Sequence, residues 1–443
     1  MDNQESELIE KIRQQFDKAP YPKIPLDNSP KTDYQSLYLH NLVTAYYLRN
    51  QKVIDTEGKV ILDAGCGSGY KSLMLAEANP DAKIIGVDIS EESVKLARQR
   101  LQYHGFNNTD FYALPLEDLP DLGLKFDYIN CDDVLYLVPD PVVGLKAMQA
   151  VLKPDGILRA NLHSSLQRAS YYAVQKIFKI MGLLEENPRE MEIGIAKEII
   201  EELQDNVAIK ARTWNLPGEK NEEWLLANYL LQGDKGYTIP EVFAALREAN
   251  LEFISMVNWR QWELADLFKN PENLPAFLAM SLPEIPVELR LHLFELLHPV
   301  NRLIDFWCGH PNQAHSFREV YEWTQSDWQQ VRVYLHPQLK TPQLKNDLVN
   351  AITNHKVFEI SRYVSLPTLV PITVDSMMAA CLLPLWEKDQ PQSVMCLVER
   401  WLKLRPLDPI TLEQAKPEKA FEEVKELLSS LEVFLYILFE HLA

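Results

Sequence analysis

The stretch Lys59-Val-Ile-Leu-Asp63-Ala-Gly65-Cys-Gly67-Ser-Gly69-Tyr70 decides the fold of this chain. Its apolar start reads as a buried strand, and the residues over 70–79 read as a helix. Between them stand three glycines at spacing two, which let the backbone turn tightly and leave peptide N–H groups open to a ligand. The pattern then repeats outward. Expected strands cover 83–88, 126–131 and 156–161, and helices cover 90–104 and 141–152. Ser90 is placed to cap its helix, with Glu91 and Glu92 in the favourable first turn. Strands alternating with helices imply a parallel sheet with helices on both faces, whose ligands bind beyond the carboxyl ends of the strands.

Two acidic residues narrow the ligand. A phosphate loop requires GxxxxGK[ST], which is absent, and a dinucleotide loop prefers GxGxxG, whereas the spacing here is GxGxG. Asp63 at the strand end would repel a pyrophosphate and suits an amino group. Asp88, ending the next strand, is placed to accept the hydroxyls of a ribose. An amino-acid end at Asp63 and an adenosine end at Asp88 describe S-adenosylmethionine. The plainer reading, a glycine turn beside a stray surface aspartate, is disfavoured by the strand context on both sides.

Residues 59–163 resemble the class I S-adenosylmethionine-dependent methyltransferases. ILDAGCGSG matches the first motif of that family, IIGVDIS the second, FDYINCDDVLYLVPDP the strand-four region and LKPDGILRANLH the strand-five region. The resemblance implies a Rossmann-like sheet of the α/β class with helical cap insertions and a mostly helical C-terminal domain. It implies that Gly65, Gly67 and Gly69 form the cofactor loop, that Asp63 approaches the methionine end and that Asp88 holds the ribose. Cys66, Ile89, Leu116, Glu117 and Cys131 are expected around the cofactor, the two cysteines as packing residues. Pro115 stands where the family often carries an acid for the adenine amino group, which leaves Leu116 and a shifted Glu117 or Asp118 for that contact. The product would be S-adenosylhomocysteine, and no metal is expected.

Methyl transfer is an in-line displacement that asks the protein to align acceptor and methyl, exclude water and take a proton where needed. Asp132, Tyr136 and His163, at the ends of strands four and five, are the candidates for the acceptor side, with Asn161 beside them. The alternatives stay open: Asp133 as a helix cap, and His163 bonded to a backbone carbonyl. Tyr21, Tyr34, Tyr38 and His40 lie in a proline-rich segment that reads either as a lid over the site or as a packing arm.

The chain has 443 residues, 44 Lys+Arg against 63 Asp+Glu and a net charge of −19. That length exceeds one hydrophobic core and implies further domains. The expected organisation is an N-terminal lid or arm over 1–50, a cofactor-binding core over 51–163, a helical cap over 164–236, resumed core over 237–262, a second helical insertion over 263–326, a last core strand over 327–336 and a C-terminal domain over 337–443. Acidity without a basic stripe argues against nucleic acid as partner and favours a basic or amine acceptor, unless the charge merely solubilises the surface. No apolar run approaches the roughly 20 residues that span a bilayer. Five scattered cysteines and the absence of a signal peptide suit a cytoplasmic location. The N-terminal FDKAPYPKIPLDNSP and the added domain also resemble bacterial methyltransferases with a regulatory or dimerisation region, some of which methylate protein lysines. The last helix, expected over 418–442 and apolar nearly all round, is read first as buried and second as a homodimer contact. The leading function is transfer of a methyl group to a small-molecule, peptidic or protein acceptor. A protein lysine methyltransferase, a non-catalytic cofactor-holding regulator and, on the same sheet, a nicotinamide-dependent oxidoreductase are the alternatives.

Overall fold

The computed structural model describes residues 3–18, 20–218, 220–313, 317–364, 371–387 and 390–441. They divide into two compact units, one formed by 1–28, 60–72 and 84–311 and the other by 29–59, 73–83 and 312–443.

The first unit is built on an eight-stranded sheet. Its strands are β1 Val60–Ala64, β2 Lys83–Asp88, β3 Thr109–Ala113, β4 Phe126–Cys131, β5 Leu152–Ser164, β6 Gly236–Tyr237, β7 Glu252–Met256 and β8 Leu303–Gly309. They run in the order β3-β2-β1-β4-β5-β8-β7, with β6 on the end of β5. β1, β4, β5 and β6 pair in parallel, as do β2 and β3. β8 runs antiparallel between β5 and β7. The central strands bury almost every residue, as a sheet covered on both faces must. Ser90 caps the helix Glu91–Tyr103 by accepting from the Ser93 N–H at 3.1 Å.

The sheet's last strand differs from expectation. Val331–Leu335, in the span 327–336 read as core, is absent from this sheet, and its place belongs to β8, inside the stretch 263–326 read as a helical insertion. β8 reads LIDFWCG and is buried on both sides, so it has no alternation to separate it from a buried helical segment. Val331–Leu335 instead alternates buried and more exposed positions, the mark of a sheet with one covered face.

The insertion over 164–236 folds as helices Ala169–Ile180, Glu190–Glu202 and Glu222–Asn228 around their own apolar cluster, in which Val174, Phe178, Ala196, Leu225 and Tyr229 are buried. Trp224 meets the Tyr229 ring edge-on at 4.9 Å.

In the second unit, β9 Val331–Leu335, β12 Gln392–Ser393 and β13 Ile437–His441 form a three-stranded antiparallel sheet, while β10 Phe358–Glu359 and β11 Thr373–Val374 make a separate pair. The expected last helix is therefore shorter. It spans Pro417–Glu432, Leu435 takes a left-handed φ of 53°, and the chain returns as β13. Val424, Leu427, Leu428 and Leu431 bury one helical face. The run after Tyr436 is apolar on both sides because it is a buried strand. Helices Tyr34–His40 and Leu42–Asn50, expected as part of the N-terminal arm, pack in this unit. The Tyr47 hydroxyl donates to Glu432 at 3.0 Å and accepts from the Phe439 N–H at 3.0 Å.

Burial pushes the Glu432 carboxyl up from its usual 4.5 to about 7. Between those values the folded chain holds a proton that the unfolded chain has lost, so this group's contribution falls as pH rises through that window. Glu432→Gln keeps an acceptor for Tyr47 without the charge. It is expected to be more stable than the parent at pH 8, by up to about 3 kcal/mol, with the gap narrowing toward pH 5. Urea unfolding at the two pH values measures it.

Candidate active site

The glycine loop owes its residue types to close packing. Gly65, Gly67 and Gly69 have φ of 82°, 49° and 81°, a region L side chains rarely adopt. A Cβ at Gly65 would lie 2.3 Å from Val134, one at Gly69 2.5 Å from the Ala97 Cα, and one at Gly67 2.2 Å from the Tyr21 carbonyl oxygen. Tyr21 thus lies against the loop. Its carbonyl accepts from the Ser68 N–H at 2.9 Å, and the Pro22 carbonyl accepts from the Ser68 hydroxyl at 2.8 Å. Arg100, buried in the helix after β2, donates to the carbonyls of Ser68, Ile24 and Pro25 at 2.9, 2.7 and 2.8 Å. The segment around Tyr21 is tied down by this guanidinium.

Asp88 stands at the end of β2 with one oxygen accepting from the Gly67 N–H and the other from the Ser90 N–H, both at 2.9 Å. Burial raises its carboxyl pKa against the lowering effect of those N–H groups. Ile89 follows, and Leu116 is buried at the start of the turn Leu116–Leu122, with Glu117 half-buried next to it. Cys66 and Cys131 are buried, which pushes both thiols far above the range in which they ionise.

Asp63 is engaged inside the protein. Its oxygens accept from the Ser72 hydroxyl at 2.5 Å and the Asn130 amide at 2.9 Å, and burial lifts its carboxyl to about 6. The side chain frames the loop from inside.

The acceptor-side candidates form one network. Asp132 pairs with Lys71 at 2.7 Å and accepts from the Asn161 amide at 2.6 Å, while the Asn161 oxygen accepts from the Asp133 N–H at 3.0 Å. Asn161 is fully buried and clamps the β4 end; Asp133 does not cap a helix but sits at φ 59°. Tyr136 donates to Asp133 at 3.3 Å, and its ring stacks on His163 at 3.7 Å. Arg302 donates to Asp133 at 3.0 Å and to His163 Nε2 at 2.9 Å, so His163 carries its proton on Nδ1 and donates it to Asp234 at 2.6 Å. Burial lowers the His163 pKa, and both ring nitrogens are engaged, with side chains and not with the backbone carbonyl of the alternative reading. Asp234, on the cap side of β6, also accepts from Arg168 and Gln175 at 2.9 Å. Burial alone would raise its pKa, but His163 and Arg168 bring it below the usual carboxylate value.

Tyr34, Tyr38 and His40 are not part of this network. They belong to the second unit, where the Tyr34 ring meets Tyr363 at 6.4 Å, the Tyr38 hydroxyl donates to the Phe434 carbonyl at 2.5 Å and His40 Nδ1 lies 2.6 Å from the Ser36 carbonyl. Lys71, Arg100, Arg159, Asp234, Arg302 and Asp305 were not legible as site residues. Arg159 and Asp305 did carry a signal, since a lone charge inside an apolar strand implies a buried partner, and they bind each other at 2.7 Å.

The donor set fits S-adenosylmethionine: a ribose-class carboxylate beside a glycine turn, an apolar wall at Leu116, and charged groups at the β4 end. Residues 55–228 match the family described as a methyltransferase domain. An uncharacterized protein of Synechococcus sp. is 27% identical over 317 residues, 70% of this chain and 73% of that one. The ubiquinone biosynthesis O-methyltransferase of Actinobacillus pleuropneumoniae is 33% identical over 134 residues, 29% of this chain. The chain spans 56% of the length of that relative. Among solved structures, PKMT2 from Rickettsia typhi in complex with AdoHcy superposes with a TM-score of 0.59 at 18% identity, over 92% of this chain and 76% of that one, and so shares the fold. The chain carries a class I methyltransferase domain. That domain, over residues 55–228, is of the S-adenosylmethionine-dependent class, with that molecule as cofactor.

Asp88→Ala is expected to weaken S-adenosylhomocysteine binding by about tenfold or more, read by titration calorimetry. Asp234→Ala strands Arg168 without its buried partner and is expected to cost roughly 3–5 kcal/mol in urea unfolding.

Proposed function

We propose that the protein transfers the methyl group to an amine, and that a lysine side chain of a protein is the acceptor. The observation that carries this is the state of the groups at the β4 and β5 ends. His163 has both nitrogens bound and Asp132 is paired with Lys71 and Asn161, so neither is a free strong base of the kind a hydroxyl or carbon acid requires. An amine needs no such base, because it gives up a proton to water before it reacts.

The cofactor supplies a methyl carbon on a sulfonium, whose sulfur keeps the bonding electron pair when the methyl leaves. The protein's share is orientation and exclusion of water. Asp133 offers a carboxylate to an incoming ammonium. Tyr136 and Tyr21 add phenols that stay protonated, since burial and the charge of Asp133 raise both. The acidic balance of the chain and of the cap over 164–236 supports a cationic acceptor. No helix among the described residues is long and apolar enough to cross a membrane.

Incubation of purified protein with methyl-labelled cofactor and a cell extract, split into protein, RNA and small-molecule fractions, tests this. Label is expected in protein, in a form stable to mild base and recovered as methylated lysine after acid hydrolysis. Base-labile label, or label confined to RNA or to the small-molecule fraction, would replace the lysine reading.

A further inference from the structure

We propose that Arg302 selects the acceptor lysine by its surroundings, taking the carboxylate of an aspartate or glutamate one or two residues away while Asp133 takes the lysine ammonium. This rests on the lysine reading above and deepens it, by naming the class of acceptor segment and the residue that recognises it.

The Arg302 guanidinium is held in place from one side. It donates through Nη1 to His163 Nε2 at 2.9 Å and through Nη2 to Asp133 Oδ1 at 3.0 Å. The His163 side chain is 1% exposed and is fixed in turn by Asp234 at 2.6 Å, so the anchor is rigid. A guanidinium carries five N–H donors in a planar fork. The bonds to His163 and Asp133, with the Tyr136 hydroxyl beside them, leave donors on the outer edge. That edge meets solvent, since the Arg302 side chain is 46% exposed. Asp133 is also only partly committed. Its Oδ1 accepts from both Arg302 and Tyr136, while Oδ2 has no hydrogen-bond partner among the described residues, and the side chain is 27% exposed.

Asp133 and Arg302 make a neutral pair. A lysine ammonium docking on Asp133 alone would leave an excess positive charge beside a guanidinium that shares the same carboxylate. An acceptor that also brings a carboxylate restores neutrality and gives the outer edge of Arg302 the planar anion that suits its fork. With contacts of about 2.8 Å on each side of the pair, the two charges of the acceptor lie within roughly 10 Å of each other. Residues one or two places apart in an extended segment, at about 3.3 Å per residue, meet that distance. The pair also lies toward the cofactor. Burial and the charges of Asp133 and Glu223 raise the Tyr21 phenol while Arg302 lowers it, and the Tyr21 backbone rests on the glycine loop. The acidity of the chain attracts a basic protein as a whole, and Arg302 then chooses among its lysines.

The test locates the acceptor lysines. Extract proteins methylated by the full chain are digested, and their methylated lysines are mapped by mass spectrometry. An aspartate or glutamate is expected within two residues of these lysines more often than around the unmodified lysines of the same proteins. On a peptide copied from such a site, replacing that acid by its amide is expected to lower kcat/KM about 5- to 20-fold, mainly through KM. The same peptide pair is then run with Arg302→Gln and Arg302→Lys, whose melting temperatures and S-adenosylhomocysteine binding check that they are folded and hold the cofactor. Arg302→Gln is expected to bring the two peptides within about twofold of each other, and Arg302→Lys to keep part of the preference. If Arg302 only props His163, its loss slows both peptides alike and leaves their ratio as in the parent. That result, or no excess of acidic neighbours at the sites the parent methylates, overturns the assignment. Absence of methylated lysine from all extract protein would overturn the lysine reading beneath it.

Discussion

A row of polar side chains crosses the middle of the sheet, and the site depends on it. Asp63 on β1 accepts from Asn130 on β4, Asn130 accepts from Arg159 on β5 at 3.3 Å, and Arg159 grips Asp305 on β8 with two hydrogen bonds. Asp63 sits opposite Asn130, and Asn130 opposite Arg159, in the strand register. Slipping any of these strands by one residue would turn its member to the other face and leave a buried charge unpaired. Burial favours the neutral forms, but Asp132 and Asp305 outweigh it at Arg159 and hold the guanidinium charged. The row thereby fixes the register of β4 and β5; the loop carrying Asp132 and Asp133 leaves the end of β4, and His163 stands on β5 itself.

The proposed methyl-acceptor side is assembled from distant parts of the chain. His163 stands on β5, Asp133 and Tyr136 follow β4, Arg302 precedes β8 and Asp234 closes the helical insertion. Because His163 is protonated on Nδ1 by virtue of its two partners, it works as a strut between the insertion and the β4 loop. The stacked Tyr136 ring and the Asp133 carboxylate take their positions from it. The insertion is joined to this network through one buried aspartate that three donors surround.

Much of the cofactor half was readable residue by residue. Glycine spacing and the strand-end aspartates are local signals: positive φ demands glycine, and a carboxylate after an apolar run marks the strand's carboxyl end. Asp88 and Gly67 even bond to each other, joining the two segments that were singled out. Asp63 reads as a motif residue, but its partners Ser72 and Asn130 are matters of packing that the motif does not carry. Tyr38 and His40 were grouped with Tyr21 by proximity in sequence, yet Tyr21 lies on the glycine loop and the other two are buried in the second unit. A segment of prolines and aromatics does not say on which surface it will be laid.

The sequence by itself determined the α/β class, the glycine turn and the cofactor, since each follows from short-range pattern and from the conformational limits of single residues. Only the tertiary structure decided that LIDFWCG over 303–309, and not VRVYL over 331–335, completes the main sheet, because a strand buried on both faces and an amphipathic one differ in what covers them. The tertiary structure likewise decided the partners of each charge. Lys71, Arg159, Asp234 and Arg302 acquire meaning through neighbours far along the chain, and electrostatic pairing at about 3 Å is a property of space that no spacing in sequence encodes.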